Sequence, residues 1–91
     1  MIKDYYKILG LERTASNSEI HKRYKELVKV YHPDMNRNHD AIENFLRISE
    51  AFRVLGNLES RLDYSLVLFE QEMIKEEARR IYRIRQKKDK I

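Results

Sequence analysis

His32 and Asp34, on either side of Pro33, are the side chains in this 91-residue sequence whose types and spacing best suit chemistry. An imidazole exchanges a proton near neutral pH, and a carboxylate accepts paired hydrogen bonds from an arginine. General acid–base catalysis would also need a pocket that so small a domain hardly offers, and the neighbouring sequence contains no nucleophile, phosphate-binding loop or metal-ligand set. The tripeptide therefore favours recognition of another molecule, and we predict no catalytic residue.

The proline also has a purely structural meaning. Proline disfavours the helical conformation of the residue before it, so His32 is expected to be extended and the preceding helix to end there. A helix stop alone does not require an imidazole and a carboxylate. These two side chains therefore also suggest recognition of another molecule. His, Pro and Asp also meet by chance in many proteins, so the tripeptide alone more often marks a solvated loop than a binding site.

Composition limits the classes to which this chain can belong. With 42% hydrophobic and 37% charged residues, it can form one small domain with a modest core and an ionic surface. The chain has no cysteine and three histidines, so we predict no disulfide, no metal site and no cofactor. The longest apolar run, residues 66–69, is far shorter than the roughly 20 residues that span a bilayer. The opening residues MIKDYY lack the apolar core of a secretory signal, so we expect a cytoplasmic location.

Helix signals begin close to the start of the chain. Two glycines and one proline are the only strong interruptions in the sequence, which predicts an all-α fold. Asp4 is a candidate N-cap and Gly10 a candidate stop for a short first helix over residues 5–9. A second helix is expected to begin at the capping segment 16–18 and to run to about Tyr31.

Two further helices are expected in the second half of the chain. The third should cover residues 41–55 and end at Gly56, which leaves a loop of about nine residues after the second helix. A loop of that length allows an antiparallel helical hairpin with the loop exposed at one end. The fourth helix is expected to start after Asn57, because neither glycine nor proline follows before Ile91.

Three of these helices carry apolar residues at helical spacing. The second contains Ile20, Tyr24, Leu27, Val28 and Tyr31. The third contains Ile42, Phe45, Ile48, Phe52 and Leu55. The fourth contains Leu62, Leu66, Phe69 and Met73, and we expect it to pack on the core about as far as Phe69. The opposite side of the second helix carries the lysine face, which consists of Lys22, Lys25 and Lys29. An ordinary solvated helix surface is the alternative to a binding role for this face.

The end of the fourth helix is strongly basic. In residues 78–91, arginine and lysine exceed acidic residues by six charges. We therefore divide the chain into a domain over 1–69 and a charged, basic helical extension over 70–91. Nucleic-acid binding through this basic end and the lysine face is an alternative function. Tyr82 is the only aromatic residue there to stack on bases, so nucleic acid is not the expected partner.

The order and spacing of these motifs resemble those of the J domain of DnaJ-type co-chaperones. The match runs from Asp4 to about Tyr64, through DYYKILGL, a polar turn, EIHKRYKELVKVYHPDMN and FLRISEAFRVLG. The resemblance implies a small helical bundle in which the second and third helices are antiparallel. The loop between them contains His32, Pro33 and Asp34 and is called the HPD loop. The same resemblance implies a domain that performs no chemistry itself. Such a domain docks on a DnaK-type (70-kDa heat-shock) chaperone and stimulates its ATP hydrolysis, which couples it to the capture of client proteins.

The resemblance also implies roles for individual residues. His32, Pro33 and Asp34 would stimulate the ATPase of the partner. The docking surface would consist of Lys22, Tyr24, Lys25, Lys29 and Asn36. Tyr24 also belongs to the apolar stripe of its helix, so core packing is expected to account for most of its area. Client proteins would bind through regions outside this chain.

Several positions depart from the family pattern or invite another interpretation. Glu26 replaces a residue that is commonly basic and is expected to weaken the lysine face. Arg23 replaces a usual alanine, so its stem should lie along the helix edge, and Leu46 is expected to expose an apolar spot. We interpret His21 and His39 as solvated surface histidines without a carboxylate cluster beside them.

Overall fold

The computed structural model describes residues 2–89 as four helices and the turns that join them. The helices are α1 (Tyr5–Leu9), α2 (Asn17–Tyr31), α3 (His39–Leu55) and α4 (Leu58–Asp89). No strand occurs within residues 2–89, and the all-α prediction is confirmed. Within the same range, no helix combines the length and the apolar character needed to cross a membrane.

Local capping contacts determine where the first two helices begin and where α1 ends. The Asp4 side chain accepts a hydrogen bond from the backbone N–H of Lys7 at 3.1 Å. Gly10 ends α1 with a φ of 71°, in the left-handed region that glycine enters without a Cβ clash. Ser16 and Glu19 form a reciprocal capping box at the start of α2. Both helices have the bounds that the sequence predicted, because these contacts join residues only three positions apart.

The third helix begins two residues earlier than predicted. Its N-cap is Asn38, whose side-chain oxygen accepts a hydrogen bond from the N–H of Asp40 at 3.2 Å. The loop before it therefore spans residues 32–38, which is seven residues instead of nine. In the first turn Ala41 is buried, whereas Ile42 is exposed and its predicted place in the apolar stripe is wrong. The two point in different directions because successive helical residues are about 100° apart.

Helices α2 and α3 form the predicted antiparallel hairpin. Near the loop, the His32 ring contacts the Phe45 ring, and at the other end the His21 Nε2 lies 3.1 Å from the carbonyl oxygen of Gly56. Residue numbers thus fall along α2 as they rise along α3, which defines an antiparallel pair. The buried side chains that form the core include Tyr6, Leu9, Ile20, Ile48, Ala51, Leu55 and Tyr64.

Helix α4 packs on the core with a different face from the one predicted. The predicted packing line, Leu62, Leu66, Phe69 and Met73, is 56–68% exposed, and that prediction is wrong. The helix turns Arg61, Tyr64 and Leu68 toward the core instead. The apolar line therefore lies on the outer side of α4.

Polar and aromatic contacts of Tyr64 and Arg61 explain this choice of face. The Tyr64 hydroxyl donates to the carbonyl oxygen of Lys3 and accepts from the N–H of Tyr5 at 3.2 Å. Its ring centroid lies 5.0 Å from that of Tyr5, a distance at which tilted aromatic rings attract each other. The Arg61 Nε donates to the Tyr6 hydroxyl at 3.0 Å. These contacts satisfy backbone groups near the N-terminus that leucine side chains would leave without partners.

Substitution of Tyr64 by phenylalanine is expected to lower the free energy of unfolding by about 1–2 kcal/mol, because the Lys3 carbonyl and the Tyr5 N–H lose their partner. Burial raises the pKa of the Tyr64 hydroxyl above its ordinary value of 10.0. The unfolded chain therefore ionises first, and this contribution to stability is lost as the pH rises from that ordinary value through the folded pKa. Urea denaturation at neutral pH and above pH 10 should show a smaller alkaline loss in the variant.

Tyr82→Phe is the matched control, because Tyr82 is exposed on the same helix. It should unfold like the original chain at both pH values. If Tyr64→Phe unfolded no more easily than this control at neutral pH, the hydroxyl of Tyr64 would not hold α4 in place.

Candidate functional site

The loop between α2 and α3 is closed by the backbone of His32. This residue ends α2 with an extended backbone, φ −58° and ψ 133°, as Pro33 requires of its predecessor. Its N–H still donates to the carbonyl of Val28 at 2.8 Å, which completes the last turn of the helix. Its carbonyl oxygen accepts from the N–H groups of both Met35 and Asn36 at 2.9 Å. The HPD residues thus form a tight turn at the end of a helix.

The imidazole of His32 is held from two sides. Its Nδ1 accepts a hydrogen bond from the backbone N–H of Asp34 at 3.1 Å, which leaves the proton of the neutral ring on Nε2. The edge of the ring meets Phe45 of α3, with ring centroids 5.5 Å apart and planes 68° apart. The histidine therefore fixes the backbone of the loop to the adjacent helix.

The Asp34 carboxylate is exposed to solvent beside the His32 ring. Its side chain is 88% exposed. Its Oδ2 lies 3.6 Å from the His32 Nδ1, which is beyond hydrogen-bond distance. A bidentate donor such as an arginine guanidinium can approach such an exposed carboxylate without displacing the hydrogen bonds of the loop backbone.

Asn36 shapes the second half of the loop. Its side-chain oxygen accepts from the N–H of Asn38 at 3.1 Å, and Asn38 in turn caps α3. Asn36 is half-buried, so it connects the HPD turn to the start of the next helix. Its predicted part in docking stays a prediction.

The lysine face is exposed along α2. Lys22, Lys25 and Lys29 recur at spacings of three and four, so they share one side of the helix that leads to the loop. Glu26 belongs to the same side by helical geometry and forms an ion pair with Arg23, whose Nη1 is 3.3 Å from its Oε2. The carboxylate is thus partly neutralised within the helix, and the lysines keep a net positive face.

Tyr24 and Arg23 have structural contacts that account for much of their surface. The Tyr24 ring stacks on Phe52 with centroids 4.0 Å apart and planes 7° apart, in agreement with the core packing expected for it. The Arg23 Nε donates to the carbonyl oxygen of Leu9 at 2.9 Å, at the end of α1. Arg23 therefore joins α2 to α1, a role that its place in the sequence did not reveal.

The interpretation of the other two histidines needs correction. His21 is half-buried between helices, with its ring edge on Phe52 and its Nε2 near the Gly56 carbonyl, so it is no solvated surface residue. His39 is exposed, but carboxylates do accompany it, because ligand atoms of His39, Asp40 and Glu43 lie within 4.8 Å of one another. The dipole of α3 favours the acidic Asp40 in its first turn without any ion.

Two residues have supporting roles that the sequence did not predict. One supports the HPD turn and the other supports the fold around it. Phe45 was predicted only as an apolar residue of α3, yet it also orients the His32 ring. Arg61 anchors α4 on the turn before α2, since its guanidinium donates to the Ala15 carbonyl and lies 5.5 Å from the centroid of the Tyr6 ring. No local pattern distinguishes either residue, because both act on residues distant in sequence. Leu46 is exposed, as predicted.

A small helical domain with a fixed turn, an exposed carboxylate and an adjoining cationic helix face has the features of a protein-binding module. The family model described as the DnaJ domain matches residues 4–65, and the chain belongs to the DnaJ domain family. The recognised segment begins one residue before α1 and extends into the part of α4 that packs on the core.

Individual relatives agree with this assignment. Chaperone protein DnaJ 1 of Aquifex aeolicus is 48% identical over 67 residues, which cover 74% of this chain and 18% of that relative. DnaJ protein homolog 1 of Drosophila melanogaster is 52% identical over 61 residues, which cover 67% of this chain and 18% of that relative. The chain thus spans less than a fifth of the length of these curated relatives.

A solved structure has the same fold. The solution structure of the J-domain of a mouse DnaJ-like protein superposes with a TM-score of 0.65 and 32% sequence identity. The match covers 70% of this chain and 76% of the mouse domain. The fold predicted from the sequence, a J-domain-like helical bundle, is confirmed.

Proposed function

We propose that this chain is the part of a co-chaperone that docks on a DnaK-type (70-kDa heat-shock) chaperone and stimulates its ATP hydrolysis. Membership of the DnaJ domain family supports a co-chaperone role. The proposal of docking and stimulation rests chiefly on the Asp34 carboxylate. This carboxylate is 88% exposed on a turn whose backbone is held in place by His32. Stimulation would couple the ATPase cycle of the partner to the capture of client proteins.

The turn suits a recognition element because little of it has to be ordered on binding. Pro33 fixes its own backbone, and the His32 carbonyl accepts two hydrogen bonds that close the loop. Asp34 can then accept a bidentate pair from an arginine of the partner, which gives orientation as well as attraction. Less conformational entropy is lost when a loop is fixed in advance, so more of the contact energy appears as affinity.

The lysine face suits the approach to a negatively charged surface. Lys22, Lys25 and Lys29 are exposed on α2, and the helix ends at the HPD turn. Exposed charges of one sign raise the encounter rate with a surface of opposite sign, and added salt screens the effect. We propose that these lysines guide the encounter and that Asp34 acts on the docked complex. Tyr24 and Asn36 would border the same surface.

The chain is expected to accelerate ATP hydrolysis by a cognate DnaK-type chaperone in a single-turnover assay and to hydrolyse no ATP alone. The stimulated rate should rise with the concentration of the chain and reach a plateau, as expected for a docking equilibrium. If every cognate candidate kept its basal rate at saturating chain, or if the isolated chain hydrolysed ATP, the co-chaperone proposal would fail.

We also propose that residues 1–69 form the J domain and that 70–91 form a separable helical extension, although residues 1, 90 and 91 of these ranges lie outside the described part of the chain. A chain ending at Phe69 is expected to melt cooperatively and to lose no more than about 1 kcal/mol of stability, the upper range for an exposed ion pair. The truncation removes the ion pair by which Glu72 of the extension contacts Arg13. Loss of the cooperative transition in thermal unfolding would instead assign Met73 and Ile74, which are more than half exposed, to the folding unit.

Nucleic acid, client proteins and cellular location are the remaining parts of the functional prediction. Arg79, Arg80 and Arg83 each pair with a glutamate of α4, which reduces the charge that the extension offers to nucleic acid. Client binding is proposed for regions outside this chain. The cytoplasmic location inferred from the sequence stays a prediction.

A further inference from the structure

Helix α4 continues beyond the folded core with apolar side chains on its outer side. Arg61, Tyr64 and Leu68 of this helix contact the core, and Glu72 forms an ion pair with Arg13 in the turn between α1 and α2. Past this point the helix exposes Met73, Ile74, Ile81, Tyr82 and Ile84, all at least 45% accessible. Helices gain most of their stability from packing, so a second helix against this one would bury part of the exposed apolar surface and stabilise the extension.

The charges on the extension indicate which kind of helix could pack against its exposed apolar side chains. Residues 70–77 contain four glutamates and one lysine, whereas residues 79–87 contain four arginines and one lysine but no acidic residue. Two copies of this helix in parallel would place each charge block against a block of the same sign. Two antiparallel copies place the acidic block of each against the basic block of the other, which is the favourable arrangement.

We propose that the extension of α4 pairs antiparallel with the same helix of a second copy of this chain. Residues 70, 73, 77, 80, 84 and 87 alternate in steps of three and four, the spacing that brings one side of a helix along a partner. In the antiparallel arrangement centred between residues 78 and 79, the facing pairs are Glu70 with Lys87, Met73 with Ile84, and Glu77 with Arg80. Each pair occurs twice in the dimer, so opposite charges or apolar side chains meet at every one of these levels.

Residues 70, 73, 77, 80, 84 and 87 form the seam between the two helices. The positions beside this seam agree with the same arrangement. Ile74 comes opposite Ile81 of the second copy, which covers two exposed apolar side chains on each helix. Glu76 comes opposite Arg83 of the second copy, although in the single helix these two residues already form an ion pair at 3.1 Å. The pairing therefore supplements charge contacts that exist within one helix, and it adds apolar burial that one helix lacks.

The folded core does not obstruct the second helix. Leu68 and Glu72 face the core and its neighbouring turn, and Lys75 follows on the same side of α4. Met73 and Glu77 lie on a different side, because each follows Leu68 or Glu72 by five residues, and five helical residues rotate by about 140° beyond one full turn. The cores of the two copies would therefore occupy opposite ends of the helix pair, and each HPD loop would stay accessible.

Charge reversal on one copy at a time tests the proposal. The first variant carries Glu70→Lys and Glu77→Lys, and the second carries Arg80→Glu and Lys87→Glu. Each variant alone brings like charges together at the seam, so its self-association should weaken at least about tenfold relative to the original chain. An equimolar mixture restores every opposite-charge pair, and analytical ultracentrifugation should then detect a particle of twice the mass of one chain.

A matched control separates the seam from a general effect of charge. Lys75→Glu with Arg79→Glu changes the net charge as much as Arg80→Glu with Lys87→Glu, and each double variant removes one ion pair with a glutamate three residues earlier. The control should dimerise like the original chain, because its substitutions lie off the seam. A monomeric original chain at every accessible concentration, a mixture that stays monomeric, or a control that is equally impaired would each overturn the proposal.

Cysteine pairing tests the orientation, since the chain has no cysteine of its own. Oxidation of a mixture of Met73→Cys and Ile84→Cys chains should give mainly the mixed disulfide, because these positions face each other in the antiparallel pair. Predominant disulfides between two Met73→Cys chains would show a parallel pair and overturn the proposed orientation.

Discussion

Asp34→Asn is expected to abolish stimulation of a DnaK-type ATPase while it leaves the domain folded. Asparagine keeps the shape of the side chain but has no charge and only one acceptor oxygen, so it cannot receive a charged bidentate pair. Removal of one partner from such a pair typically costs about 2–5 kcal/mol, and because Asp34 is proposed to act in the docked complex, this loss should fall on stimulation itself. The stimulated rate should therefore fall to background at concentrations where the original chain saturates.

The fold should tolerate this change. The loop is held by the backbone N–H of Asp34 on the His32 Nδ1 and by the His32 carbonyl, and neither contact uses the carboxylate. We expect the free energy of unfolding to change by no more than about 0.5 kcal/mol, as for other surface substitutions away from buried partners. Asp63→Asn makes the same chemical change at an exposed site of α4 and is the matched control. It should keep full stimulation.

Replacement of Lys22, Lys25 and Lys29 by alanine is expected to reduce association with the partner and to lessen its dependence on salt. These charges are exposed and distributed along α2, so they act mainly on the rate of encounter. Stimulation should return at high concentrations of the variant, because the HPD turn is unchanged. The measurement is the stimulated hydrolysis rate as a function of chain concentration at two ionic strengths.

A variant with three alanines elsewhere controls for the loss of net charge. Lys7, Lys75 and Arg85 are exposed and lie outside the lysine face, so their replacement should change the salt dependence much less. The two predictions also test each other. If Asp34→Asn stimulated like the original chain while the lysine variant failed at every concentration, the proposed roles would be reversed. The HPD turn would then be no more than a helix stop.

Much of the domain is determined locally by its sequence. The caps at Asp4 and Ser16 and the stop at Gly10 act within a few residues, so the sequence alone indicates them. Pro33 acts on its immediate predecessor, which ends α2 and positions the HPD turn in the chain. The identities of the proposed binding residues follow from the same local patterns and from the family resemblance.

Tertiary structure decided which sides of these elements meet. The apolar line of α4 predicted the wrong packing face, because Tyr64 contacts Tyr5, 59 residues away, and thereby turns its own side of the helix inward. The His32 ring is oriented by Phe45, and His21 is half-buried beside Gly56, although nothing near either histidine in the sequence indicates it. Helical periodicity reveals which residues share a side, but contacts between distant parts of the chain determine which side is buried, because burial depends on what the rest of the fold brings against it.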